Sequence, residues 1–364
     1  MKKTPVRVNA DYESVLFTGN PISKINEAME FLALYLEDAP LYSLKTYPEN
    51  FLNYVEEVSG IRPSFVNAGP SENWWGELKD LELEKWQNSK LTSTKLSLSN
   101  SWLHDTYILE STADVESLPE MEFPLLAKNP HEMSGRGFKF YQHGIGEKEK
   151  AELSLMVARA PLILEPWLQR KFDFSHWVFP DGKTISYETI VDSRFQYKGT
   201  IFNNWREASV ENLSFYQSIS PERWSEFQSR LQQIKDFYSV KKPFQELKFG
   251  FSVDSLVHEL DSELSIHPLC EVNFRRTMGR VAYDLSRKYA QEFSWTAFLL
   301  LPETAGSFDK TLPLRSEKRL IHLSPEGGRF CMVFLMAKDK SEASNLMEEL
   351  KDLLALSELP VKIE

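Results

Sequence analysis

One stretch near the middle of the chain, FPLLAKNPHEMSGRGFKF at residues 123–140, constrains the fold more than any other. The apolar run before Lys128 is too short for a helix, and Pro130 ends whatever element carries this lysine. Phe138 and Phe140 then alternate with a polar residue, as expected of a strand. The stretch therefore predicts a strand, a loop and a second strand, with a single lysine in the first strand.

The loop between these two strands contains Ser134, Gly135, Arg136 and Gly137. Glycines let a backbone approach an anion closely and offer its N–H groups to phosphate oxygens. Lys128 on the preceding strand supplies a positive charge for the same anion. Two interpretations remain open at this point, a lid over the phosphates of a nucleotide and an ordinary hairpin whose loop needs glycine.

The chain is acidic, because its 364 residues include 42 Lys and Arg against 53 Asp and Glu, a formal charge of -11. Such a chain binds nucleic acid or anionic membranes poorly, so any anionic ligand needs a local basic site. The two cysteines, Cys270 and Cys331, exclude a disulfide scaffold and a cysteine-rich zinc site. No run approaches the ~18 apolar residues of a membrane span. We expect a cytoplasmic protein with neither nucleic acid nor a membrane as partner.

Three oxygen-bearing side chains lie on two apolar segments in the second half of the chain. Glu271 and Asn273 are two residues apart in a predicted strand, so they project from the same face. Asp254 lies on the preceding strand, and the short acidic linker between the strands predicts an antiparallel pair. Carboxylate and amide oxygens suit magnesium when substrate phosphates complete its octahedron. The sequence therefore predicts a metal site here, although a Glu-x-Asn pair alone also arises by chance.

Two arginines, Arg275 and Arg276, directly follow this predicted metal site, and Arg194 lies in an earlier polar connection. A guanidinium beside a metal site can hold a carboxylate or a transferring phosphoryl group through two parallel hydrogen bonds. The alternative interpretation is a basic surface cluster that pairs with acidic neighbours.

An apolar strand at residues 161–164 delivers Glu165, Trp167 and Leu168, with a proline between the first two. An acid and an aromatic residue at a strand end suit a hinge that meets a planar polar ligand such as adenine. A strand end with a solvated glutamate is the alternative. Asp173 begins the next alternating run, which the turn at residues 180–183 joins to the run at residues 184–191.

Two lysines, Lys90 and Lys95, lie five residues apart in a Ser- and Thr-rich segment that leads into a predicted helix. Each is either a solvated surface lysine or a ligand for phosphate, and the sequence does not say which.

The first 88 residues are predicted to form a small α/β unit in which no residue carries a recognisable chemical motif. A short strand is expected at residues 15–17, a helix after Ser23, a second helix from about Pro48 to Gly60 and a strand at residues 62–66, in an order compatible with a parallel sheet. The C-terminal part predicts strands at residues 295–301 and 329–336 and a helix after Ser341.

Taken in order, these features resemble the ATP-grasp superfamily, which includes biotin carboxylase, D-alanine–D-alanine ligase and glutathione synthetase. The run Glu271-Val272-Asn273-Phe274-Arg275 is similar to the Glu-x-Asn-x-Arg motif of the biotin carboxylase branch. The resemblance covers residues 89 to 300. It implies the following ATP ligands: Lys90 or Lys95, Lys128 with the loop from Ser134 to Gly137, Glu165 with Trp167 and Leu168 for adenine, and Asp173 for ribose.

The resemblance implies a mixed α/β and α+β fold. An N-terminal α/β domain (1–88) would precede an ATP-grasp domain (89–300) whose two α+β subdomains sandwich ATP, with the lid subdomain at about 89–165. A C-terminal strand–helix extension (301–364) would follow. Asp254, Glu271 and Asn273 would hold Mg²⁺, with Mn²⁺ as an alternative.

The activity implied is that of an ADP-forming ligase that makes a C–N or C–S bond. A small-molecule carboxylate, held by Arg275, Arg276 and Arg194, would be activated as an acyl phosphate and captured by an amine or a thiol. Two other functions remain open on the same scaffold, a small-molecule kinase and a nucleotide-binding protein without catalysis.

Overall fold

The computed structural model describes residues 3–131, 138–193, 196–260, 262–301, 319–325 and 327–353. Three sheets organise this part of the chain: a small parallel sheet at the N-terminus, a four-stranded antiparallel sheet and an eight-stranded antiparallel sheet. None of the described helices is long and apolar enough to cross a membrane.

The N-terminal unit is built around four short parallel strands in the order β3-β2-β1-β4. The parallel sheet expected from the sequence is thereby confirmed. The elements of this unit are β1 (Val6–Arg7), α1 (Tyr12–Thr18), α2 (Ser23–Met29), α3 (Phe31–Leu36), β2 (Leu41–Tyr42), α4 (Glu49–Ser59), β3 (Phe65–Val66) and β4 (Glu72–Asn73).

The strand predicted at residues 15–17 is wrong, because these residues lie inside α1. The helix buries Tyr12 and Leu16, which are four residues apart and therefore share one helical face. Gly19 ends the helix in the left-handed conformation, with φ 72°, which glycine adopts without a steric penalty. Three consecutive apolar residues had indicated a strand, but the wider spacing of the buried residues is that of a helix.

Two capped helices lead from the N-terminal unit into the four-stranded sheet. Asp80 accepts a hydrogen bond at the start of the first helix, and Ser89 does the same for the second. The sheet has the strand order β5-β8-β6-β7 and buries one face against two helices. The elements are α5 (Leu81–Asn88), α6 (Lys90–Ser99), β5 (Tyr107–Leu109), α7 (Thr112–Glu116), β6 (Leu125–Lys128), β7 (Phe138–Tyr141), α8 (Glu147–Val157) and β8 (Leu162–Pro166).

The pairing of β6 with β7, in which Lys128 lies opposite Phe138, confirms the strand–loop–strand prediction. The predicted lid residues Ser134, Gly135, Arg136 and Gly137 lie outside the described residues.

The eight-stranded sheet has the order β13-β12-β9-β10-β11-β14-β16-β15, and every neighbouring pair is antiparallel. Its elements are β9 (Gln169–Val178), β10 (Thr184–Val191), β11 (Tyr197–Phe202), α9 (Pro221–Ser239), β12 (Phe251–Leu260), β13 (Glu263–Asn273), α10 (Met278–Tyr289), β14 (Trp295–Leu301), β15 (Leu320–His322), β16 (Cys331–Ala337) and α11 (Lys340–Leu353). Short 3₁₀ turns occur at Val210–Asn212, Tyr216–Ser218 and Phe244–Glu246.

Helices cover both faces of this large sheet. The predicted apolar stripe of α9, which includes Phe227 and Ile234, packs against Phe174 and Val257 of the sheet. On the other face, α10 packs between the sheet and the N-terminal unit. Its buried Val281 and Leu285 belong to the core that these parts share. The strands after residue 301 continue the same sheet, because β16 pairs with β14 and β15 pairs with β16. The predicted domain boundary at residue 300 falls within β14.

Candidate active site

The three predicted metal ligands lie together at one end of β12 and β13. Asp254 and Glu271 are directly opposite each other in the strand register, and Asn273 is two residues further on. The side-chain amide of Asn273 donates a hydrogen bond to Oδ2 of Asp254 at 2.9 Å. The arrangement places two carboxylates and one amide within contact distance of one another, as the strand alternation predicted.

The two carboxylates differ in their electrostatics. Burial, together with the nearby charge of Glu271, raises the pKa of Asp254 to about 7. Burial opposes ionisation of Glu271 as well, but the charges of Lys90 and Arg275 outweigh it and lower the pKa of Glu271 to about 2. Glu271 is therefore the ionised partner, and Asp254 retains its proton up to near-neutral pH.

This donor set fits magnesium in its chemistry, because all its ligand atoms would be hard oxygens. Among the described residues, no group of three or more His, Cys, Asp or Glu side chains could hold a metal ion. Asp254 and Glu271 would therefore need the amide oxygen of Asn273 and the oxygens of a bound phosphate to complete an octahedral site.

The two candidate lysines of α6 have different positions. Lys90 is the first residue of the helix, and its Nζ lies 2.9 Å from Oε2 of Glu271, with 16% of its side chain exposed. Lys95 is 61% exposed and lies 3.6 Å from Glu110. The structure thus brings Lys90, and not Lys95, to the oxygen cluster.

Arg275 is held by an acidic residue of the N-terminal unit. Its Nε and Nη2 atoms donate to Oε1 of Glu13 at 2.9 and 2.7 Å, and its Nη1 donates to the carbonyl of Arg276 at 3.2 Å. Sequence reasoning missed Glu13, which lies on α1 of the N-terminal unit. No motif marks this glutamate, and only the fold brings it beside an arginine 262 residues away.

Arg276 faces away from the oxygen cluster and lies at the packing between the N-terminal unit and α10. Its guanidinium carbon is 4.2 Å from the centre of the Trp74 ring. Its Nη2 is 3.5 Å from Glu37 and its Nη1 is 3.5 Å from Asp284. A buried arginine between two acids and an aromatic ring serves the packing of the two units.

The candidate nucleotide residues of the four-stranded sheet form a second group. Lys128 on β6 makes an ion pair with Glu165 on the neighbouring strand β8. The backbone N–H of Trp167 donates to the carbonyl of Pro124 at 2.8 Å, and the Trp167 ring lies 4.8 Å from that of Phe140. The carbonyl of Leu168, the next residue, accepts a hydrogen bond from the backbone N–H of Arg170 at 2.8 Å. The predicted hinge is therefore hydrogen-bonded to Pro124, next to β6 of one sheet, and to Arg170, in β9 of the other.

The two groups of residues interact electrostatically. Burial and then the charge of Lys128 lower the pKa of His267 on β13 to about 3. Burial raises the pKa of Cys270 to about 12, against the opposing charges of Arg170 and Lys128. The charge of Lys128 therefore acts on two side chains of β13, one of them the residue that precedes Glu271.

Asp173, the candidate ribose ligand, lies on β9 in the same region. Its Oδ1 is 2.9 Å from Nη2 of Arg170, and burial raises its pKa to about 6. Its charge also contributes to the raised pKa of Asp254. Arg194, the third candidate arginine, lies outside the described residues.

No protein-family model matches this chain, and no curated protein matches it in sequence. Solved structures do match in fold. An N5-carboxyaminoimidazole synthetase from Staphylococcus aureus matches with a TM-score of 0.55 and 10% identity, over 90% of this chain and 95% of its own. A phosphoribosylamine–glycine ligase from Thermotoga maritima matches with a TM-score of 0.51 and 11% identity, over 90% of this chain and 94% of its own. At such identities the likeness shows a shared fold, and it extends over nearly the whole chain.

Proposed function

Because this chain has the fold of the ATP-grasp superfamily, as the sequence resemblance predicted, we propose that it is an ATP-dependent ligase. It activates a carboxylate as an acyl phosphate, which an amine or a thiol then captures. The observation that carries the proposal is the convergence of Lys90, the oxygen cluster and Arg275 at the end of β13. Such an array combines a phosphate-binding cation, metal ligands and a carboxylate-binding guanidinium in one place.

The ATP ligands of the proposal come from both groups of residues. Lys128 and Lys90 bind phosphate oxygens, each releasing the carboxylate with which it pairs in this structure. Glu165, Trp167 and Leu168 hold adenine and Asp173 holds ribose. A role for the loop from Ser134 to Gly137 in binding the phosphates stays a prediction, and Lys95 is left out because it pairs with Glu110.

Asp254, Glu271 and Asn273 hold Mg²⁺ or Mn²⁺ in the proposal. Bound there, the cation would neutralise negative charge on the phosphate oxygens of ATP. The support from this chain is the pair of opposed carboxylates with the Asn273 amide beside them; burial, and then the charge of Glu271, raise the pKa of Asp254.

The reaction needs a residue that orients the carboxylate, and Arg275 is the candidate. A carboxylate oxygen attacks the γ-phosphorus, the bond to the bridging oxygen breaks, and ADP leaves. The amine or thiol then attacks the acyl carbon and phosphate leaves. Arg276 is not part of this proposal, because Glu37 and Asp284 already pair with it. A contribution from Arg194 stays a prediction.

A carboxylate screen tests the proposed function. The full chain is incubated with ATP, Mg²⁺, hydroxylamine and a library of small carboxylates, because hydroxylamine captures an acyl phosphate as a hydroxamate of recognisable mass. We expect one class of carboxylates to give hydroxamate, ADP and phosphate in equal amounts. A stable phosphorylated product without phosphate release would identify a kinase instead. ATP binding without turnover on any compound would favour a nucleotide-binding protein without catalysis.

A further inference from the structure

Two consecutive residues of helix α1 in the N-terminal unit are linked to the two residues that follow β13. Tyr12 receives a hydrogen bond at its hydroxyl from Nδ2 of Asn88 at 3.3 Å, and Oδ1 of the same asparagine accepts the backbone N–H of Phe274 at 2.8 Å. Glu13, the next residue of α1, binds the side chain of Arg275. Two neighbours on the helix thus fix two neighbours at the strand end, one through an intermediate asparagine and one directly.

The helix that carries Glu13 is itself firmly held. The hydroxyl of Tyr12 donates to Oε2 of Glu84 at 2.6 Å, and Tyr12 is fully buried. Asp11, which precedes the helix, accepts the backbone N–H of Ile22 at 2.9 Å. Glu13 therefore projects from a rigid support, which is the arrangement that positions a functional group well.

The contact between Glu13 and Arg275 uses one edge of the guanidinium. Nε and Nη2 both donate to Oε1 of Glu13 and Nη1 donates to the carbonyl of Arg276, which leaves the outer end of the guanidinium, the second N–H on each of Nη1 and Nη2, as donors for a ligand. Only 15% of the Arg275 side chain and 11% of the Glu13 side chain are exposed, so solvent screens the pair weakly. Burial opposes the charge of Arg275, and Glu13 raises the pKa of this arginine above its ordinary value.

We propose that Glu13 is a positioning residue for Arg275, which fixes the guanidinium so that its outer end receives the substrate carboxylate. This inference rests on the proposed function only for the identity of the ligand, a carboxylate. It assigns a role in the site to the N-terminal unit, because α1 accepts two hydrogen bonds of the arginine, beside the one that the carbonyl of Arg276 accepts. An arginine with several accessible rotamers would bind a carboxylate in many orientations, few of them reactive.

The kinetic test compares Glu13→Gln, Glu13→Asp and a matched control, Glu56→Gln, whose carboxylate pairs with Arg62 at the surface of α4. We expect Glu13→Gln to lower kcat/KM for the carboxylate by about 10- to 100-fold, with a much smaller change in KM for ATP, because Glu271 still pairs with Lys90. Glu13→Asp should recover part of the loss, and Glu56→Gln should match the wild type. Equal values for Glu13→Gln and the wild type would overturn the proposal. A lower KM for the carboxylate in Glu13→Gln would also overturn it, because Glu13 would then be a competitor for the arginine.

A second measurement does not depend on turnover and separates this inference from the proposed function. In ¹⁵N NMR spectra, the Nε–H signal of Arg275, assigned by its loss in Arg275→Lys, should exchange slowly in the wild type and rapidly in Glu13→Gln. Slow exchange in both proteins would overturn the positioning role. If the wild type shows this difference from Glu13→Gln but no carboxylate supports turnover, the proposed function fails while the positioning of Arg275 stands.

Discussion

The ammonium of Lys90 lies 2.9 Å from Oε2 of Glu271 and joins the start of α6 to the end of β13. Burial disfavours the charge of Lys90, but Glu271 and then Glu13 outweigh it and raise the lysine pKa above its ordinary value. Lys90 is therefore a permanent cation in the candidate site, stabilised by two carboxylates from different parts of the chain.

This relationship predicts different effects for the two lysines of α6. Replacing Lys90 by methionine should lower magnesium-dependent ATP turnover by about 100-fold, because a buried cation at the proposed phosphate site is lost. Lys95→Met removes an exposed charge that pairs with Glu110 at 3.6 Å and should leave turnover unchanged. Steady-state ADP formation measures both variants. Equal losses in the two would show that the contact between Lys90 and Glu271 does not mark the phosphate site.

Glu271→Gln tests the candidate metal site with little change in side-chain shape. We expect loss of magnesium-dependent turnover and at least about 10-fold weaker Mn²⁺ binding, measured by electron paramagnetic resonance, because a charged oxygen ligand is lost. Glu259→Gln is the matched control, since this glutamate lies on β12 of the same sheet and pairs with Lys171. Circular dichroism verifies that both variants fold. Unchanged Mn²⁺ affinity in Glu271→Gln would refute the metal assignment.

The sequence correctly predicted that Asp254, Glu271 and Asn273 lie close together. Strand alternation and a short linker determine which residues of an antiparallel pair face each other. Asp254 and Glu271 are paired in register for that reason. It did not predict Glu13, since the contact with Arg275 joins residues far apart in the chain and depends on how two units pack. The helix that carries Glu13 also contains the three apolar neighbours from which the sequence predicts a strand.

Arg276 is a residue whose role the sequence does not separate from that of its neighbour. Two consecutive arginines after the Glu-x-Asn pair look equivalent in the sequence, but consecutive residues at a strand end point in different directions. Arg275 therefore faces Glu13 and the oxygen cluster, whereas Arg276 stacks on Trp74. Only the backbone path beyond β13 distinguishes the two, and no local pattern encodes it.

A stability measurement tests this division of roles. Arg276→Met should lower the free energy of unfolding by about 3 kcal/mol, because Glu37 and Asp284 lose a buried partner. The folded fraction should retain its turnover per molecule. Arg319→Met removes a more exposed pair with Glu342 and should cost at most about 1 kcal/mol. Urea unfolding gives both values, and a stable but inactive Arg276→Met would instead place Arg276 in the reaction.

A buried histidine on β9 predicts how stability depends on pH. Burial, and to a smaller degree the charge of Lys235, lower the pKa of His176 to about 3, and its Nδ1 lies 2.8 Å from the hydroxyl of Ser186. In the unfolded chain the pKa of histidine is about 6.5, so between these two values the unfolded state binds one more proton than the folded state. The free energy of unfolding should therefore fall as the pH falls below about 6.5, with a contribution from His176 of up to about 1.4 kcal/mol per pH unit.

The variant His176→Gln isolates this contribution, because glutamine does not titrate and its amide can still bond to Ser186. The variant should be less stable than the wild type near neutral pH and lose less stability on acidification, so the difference between the two proteins narrows from about pH 7 to about pH 5. His104→Gln, at an exposed position, is the control and should follow the wild type. Urea unfolding at several pH values measures all three, and parallel curves for His176→Gln and the wild type would mean that the buried imidazole accepts its proton without unfolding.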